Sequence, residues 1–61
     1  MPIQVKVFDE EHEEDLENAI NDFLKDIAPS EFVDIRYSIT AFSTPAGDQV
    51  YCYSALIVYR D

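Results

Sequence analysis

Cysteine, glycine, tryptophan and positive charge are all scarce in this 61-residue chain, which has one Cys, one Gly, no Trp and four Lys plus Arg. Each shortage closes a class of explanation. Cys52 stands alone, so no internal disulfide can staple the fold. A structural zinc site needs about four Cys or His ligands at short spacings, and the chain has one of each. A single Gly47 cannot make a glycine-rich phosphate loop. The cations Lys6, Lys25, Arg36 and Arg60 are scattered against 13 acids, for a net charge of −9. Binding nucleic-acid phosphate needs clustered cations, so nucleic acid is excluded as a partner, and anionic membrane surfaces are disfavoured likewise. The longest aliphatic run, "ALIV", falls far short of the ~20 residues of a membrane span. The opening "MPIQVKVFD" lacks the basic start and apolar stretch of a signal peptide. The expected compartment is the cytoplasm, with which a free thiol is compatible.

What the chain does have is apolar weight. At 48% hydrophobic it exceeds a disordered acidic tail, and residues 1–61 read as one domain. A chain this small buries only about 60% of the surface its unfolded form exposes, and domains short of core often oligomerise.

The hydrophobic pattern has two periods. Residues 3 to 8, "IQVKVF", alternate as a half-buried strand. Leu16, Ala19, Ile20, Phe23, Leu24 and Ile27 then fall on one helical stripe. Pro29 is expected to end that helix. Residues 32 to 42 alternate again, and "STPAGDQ" reads as a turn. Residues 50 to 59, "VYCYSALIVY", are apolar at both parities, as in a central strand. The fold class is therefore α+β: strand–helix–strand–strand, a three-stranded antiparallel sheet in spatial order 1-3-2, with one helix packed on one face.

The two faces of the sheet are assigned from side-chain size. A helix crosses a central strand closely, which favours small residues beneath it. That places Cys52, Ser54, Leu56 and Val58 under the helix, with Ile3, Val5, Val7 and the series Val33, Ile35, Tyr37 and Ile39. Tyr51, Tyr53, Ile57 and Tyr59 are then left on the open face with Phe8, Phe32 and Phe42. Such a surface exceeds the apolar area normal for a monomer, and tyrosine suits interfaces. These seven residues are the candidate interaction face, with protein, self or other, as partner and a homo-oligomer as the expected state.

The run "DEEHEED", residues 9 to 15, packs six carboxylates around the only histidine. The two-His zinc spacing H-E-x-x-H is absent. Asp9 directly precedes the helical period and is expected to be its N-cap. Glu10 and Glu11 follow where the helix dipole favours negative charge. No metal is expected there. Cys52 lacks the positive surroundings of a reactive thiol, and Ser38, Ser43 and Ser54 lack a glycine-flanked elbow. No catalytic residue and no cofactor is expected, so the reading is non-enzymatic.

With "IQVKVFDEEHEEDLENAINDFL", "VDIRYSI" and "YCYSALIVYR", the chain resembles a family of small sporulation proteins of Bacillus and related Gram-positive bacteria. That family is marked by a "VKxFDEEHExDLExxIN" opening and a "YSAxIxYR" close. The resemblance spans nearly the whole chain. It implies a sporulation association and mother-cell expression, and it carries no assigned activity, cofactor or catalytic residue. A looser, topological resemblance is to dodecins, strand–helix–strand–strand chains that form flavin-binding shells. It implies an alternative role as a small-ligand (flavin) carrier, with a tyrosine in place of the family's stacking tryptophan.

Overall fold

Residues 2–61 are described by a computed structural model. Strand β1 (Ile3–Glu10) leads into helix α1 (Glu13–Leu24), a single 3-10 turn at Pro29–Glu31, and the long strands β2 (Phe32–Ser43) and β3 (Gln49–Arg60). The sheet order is β1-β3-β2 with both pairings antiparallel, as the doubly apolar last strand implies. Gly47, at φ +90°, turns the β2–β3 hairpin, a conformation that costs glycine little. Thr44 closes the same turn, its hydroxyl and carbonyl accepting from Asp48 and Gly47 N–H.

The helix starts later and ends earlier than the sequence pattern implies. Asp9 does not cap it. Strand pairing continues through Glu10 opposite Tyr53, so Asp9 is still extended, and its carboxylate accepts a 2.6 Å hydrogen bond from the Ser54 hydroxyl across the sheet. The N-cap is His12, extended and with no side-chain capping bond, and Glu13, Glu14 and Asp15 fill the first turn. Acids therefore do sit at the positive end of the helix dipole, but three to four residues later than expected. At the other end Leu24 is the last helical residue, so the helix stops before Pro29, and Ile27 of the apolar stripe lies outside it. The last turn has no basic residue to offset the dipole. Past it, the Glu31 carboxylate takes the Ala28 N–H at 2.6 Å and holds the chain in the 3-10 turn instead.

The core is small. Leu16, Ala55 and Ile57 are the buried hydrophobic residues, at 2%, 4% and 0% exposure. Twelve helical residues span about 18 Å, which matches the six-residue step from Tyr53 to Tyr59 at about 3.3 Å each. The helix thus covers half of a strand twice its length. The hairpin projects beyond it, and the molecule measures 48 × 18 × 11 Å. Its radius of gyration is 14.1 Å, where a compact chain of this length would have about 10 Å.

Candidate interaction surface

Residues opposite one another in an antiparallel pair share a face of the sheet. Phe8 stands opposite Ala55, and Ile35, Tyr37 and Ile39 stand opposite Ile57, Ala55 and Tyr53. Phe23 of α1 meets Phe8 and Tyr59 edge-on, at centroid separations of 6.0 and 5.0 Å. The tyrosine parity of β3 is therefore the helix-covered one. Tyr59 reaches past Phe23 to donate to the Gln4 side-chain oxygen. Tyr51 and Tyr53 stack on each other near the helix start. Burial, then the Glu13 carboxylate, then Tyr37 and Tyr51 raise the Tyr53 phenol above its ordinary pKa.

This corrects the face assignment made from the sequence. Phe8, Ile57 and Tyr59 lie beneath α1, and Phe32, Tyr51 and Tyr53 lie on the same side of the sheet. Of the seven expected residues only Phe42, opposite Val50, is on the open side. On the tyrosine parity the two residues buried under the helix are Ala55 and Ile57, one small and one large, so side-chain size does not pick the covered face. Ile35, Tyr37 and Ile39 do fall on the helix side, as expected. Val33 drops out of register at a bulge between Phe32 and Asp34.

The open face is consequently aliphatic. Ile3, Val5 and Val7 are 63%, 57% and 58% exposed. They lie beside half-buried Leu56 and Val58 of β3. Polar groups surround this patch. Ser38 and Thr40 of β2 carry one side. Asp9 bonds Ser54, and Arg36 Nε donates to Asp34 at 2.8 Å. That bond, with the Ile35 N–H, holds the Asp34 carboxyl below its ordinary pKa. Asp9 and Asp34 are balanced on this face by Arg36 and Arg60. The remaining eleven acids and two lysines put the whole net charge of −9 on the helix side and the loops.

A second apolar area lies on the helix side, where α1 does not cover β2: Ile35, Tyr37 and Ile39 stay exposed. The groove there is walled by Glu13, Glu14 and Glu17.

A family profile described as "Sporulation protein Cse60" matches residues 2–61. The sporulation protein cse60 of Bacillus subtilis (strain 168) is 53% identical over 58 residues, covering 95% of this chain and 97% of that protein. The chain belongs to the Cse60 family of sporulation proteins. No solved structure matches it. The resemblance carried by the "FDEEHEEDLENAIN" opening and the "YSALIVYR" close is therefore sound over nearly the full length.

In this Cse60-family chain the two signature segments both build the fold. The opening contributes Phe8 and Leu16 to the helix–sheet contact and Asp9 to the bond with Ser54. The close contributes Ala55, Ile57 and Tyr59 to the same core. The open-face set Ile3, Val5, Val7, Leu56 and Val58 was visible in the sequence as alternation. What hid it was the choice of which parity faces the helix. Among the described residues, no three His, Cys, Asp or Glu side chains come together as a metal-holding group. No described helix is long and apolar enough to cross a membrane.

Proposed function

We propose that this sporulation protein works without catalysis, by binding protein through the aliphatic open face of its sheet, in the cytoplasm of the sporulating mother cell. The observation that carries this reading is the pairing of exposed Ile3, Val5 and Val7 with a face of zero net charge, in a chain whose total charge is −9. An apolar patch rimmed by polar groups is the anatomy of an interface. Acids kept to the opposite side maintain solubility without opposing contact at this face.

The chemistry of the nucleophiles supports a non-enzymatic role. The Cys52 sulfur lies 3.7 Å from the Ser54 hydroxyl, which is itself bonded to Asp9. A reactive thiolate needs positive surroundings, and the neighbour of this thiol is a hydroxyl tied to a carboxylate. The flavin-carrier alternative would use the stacked Tyr51–Tyr53 pair, but the hollow beside it is lined by Glu11, Glu13 and Glu14, which repel a phosphate-bearing ligand.

The test is recovery of cross-linked complexes from sporulating cells with tagged wild-type chain and with Val5→Asp. The expected result is at least one complex, of the chain with itself or with another protein, that the variant loses while keeping its circular dichroism spectrum. Identical complexes from both chains, or none from either, reject the open face as the working surface.

A further inference from the structure

Resting on that reading, we infer that the occupant of the open face is a second copy of this chain, packed sheet to sheet so that two acidic helices face outward. The single chain leaves much of its apolar surface unburied. Three buried apolar side chains are a thin core for 61 residues, and the accessible surface of 4539 Å² exceeds the about 4,000 Å² normal for a folded monomer of this mass. A small domain in that position gains the missing burial from disulfides, metal or association. One cysteine rules out an internal disulfide, which leaves association as the direct route.

The open face has the shape and charge for it. Sheets stack about 10 Å apart when their faces are apolar at the centre. Here Ile3, Val5, Val7, Leu56 and Val58 form that centre. Strands of 8, 12 and 12 residues give a footprint of about 500 Å² per copy. Two copies then bury about 1,000 Å² in all, which meets the lower bound of a specific interface. Electrostatics picks this face over the others. Two like chains of charge −9 repel, and the contact that least opposes them is one with no net charge. The open face holds two carboxylates and two guanidinium groups, so a twofold places equal numbers of both signs in the joint. The exposed Ile35–Tyr37–Ile39 area lies beside Glu13, Glu14 and Glu17, and self-contact there brings like charges together.

Sedimentation of the full-length chain tests this directly. Wild type is expected at twice the 7.0 kDa chain mass. Val5→Asp should return to one chain mass at the same concentration. Ile39→Asp, on the other side of the sheet, should leave the dimer intact. Should Val5→Asp fail to fold, the unmodified chain supplies its own reporter. Cys52 lies on the buried side of the proposed joint, so its reaction with a thiol reagent should slow as protein concentration rises. A wild-type monomer at every concentration, equal Cys52 reactivity throughout, or a dimer lost in Ile39→Asp but kept in Val5→Asp overturns the inference. A wild-type monomer whose cellular complexes still vanish with Val5→Asp overturns the second copy alone and leaves the open face working on another protein. If those complexes persist, both statements fall.

Discussion

The two faces of this sheet are opposites in almost every respect. One holds Phe8, Tyr53, Ala55, Ile57 and Tyr59 and is partly roofed by α1. The other holds Ile3, Val5, Val7, Leu56 and Val58 and has no roof within the chain. Large aromatic groups went under the helix and small branched ones went to solvent, the reverse of a ranking by bulk. Beneath α1, Ala55 and Ile57 are buried, and Phe23 meets Phe8 and Tyr59 edge-on. Aromatic content by itself does not say which side is open.

Truncating one residue on each face separates the two most strongly. Ile57→Ala should cost about 2–5 kcal/mol, because it empties a fully buried position. Val5→Ala, in dilute protein, should change stability by less than about 0.5 kcal/mol. Urea denaturation at low concentration measures both. Equal losses would mean that the faces are not distinct in the folded chain. Next in size is the hairpin that carries both faces past the helix. Gly47 has positive φ and open space around it, so Gly47→Ala meets only backbone strain and should lose about 1 kcal/mol in the same assay.

The smallest effect probes the helix-covered side alone. Tyr53 is raised by burial first and by Glu13 second. A raised phenol pKa means that the neutral form is favoured in the folded state. The associated stability is complete below the ordinary tyrosine value and is lost as pH climbs through the raised one. In an alkaline ultraviolet titration, the Tyr53 step, identified with Tyr53→Phe, should therefore fall above the ordinary tyrosine range. Glu13→Gln should bring Tyr53 part of the way down. No shift on Glu13→Gln would place the carboxylate away from the ring and weaken the case that α1 begins over Tyr53.

Much of the fold was legible in the residues. The alternation of "IQVKVF" and "VDIRYSITAF" identified edge strands, and apolar side chains at both parities of residues 50 to 59 identified the central one. Those patterns report burial, and burial follows position in a sheet. Asp9 was misread for a local reason. An Asp before a helical period is the usual cap, yet cross-strand pairing with β3 held it extended and Ser54 took its carboxylate. The candidate surface failed on parity. A one-residue change of face inverts every side chain in a strand, and both parities of β3 are apolar enough to sit inside.

Composition and periodicity by themselves determined four elements and an acidic helix, because these depend on neighbours within a few residues along the chain. The apolar character of both parities of β3 implied its central place in the sheet, and the resemblance of the opening and closing segments carried the family. Which face α1 covers, where it starts, and therefore which apolar surface is left over were decided only in three dimensions. Those outcomes depend on contacts between elements distant in the chain, such as Phe23 of α1 with Phe8 of β1 and Tyr59 of β3, and no local pattern encodes a distance between elements.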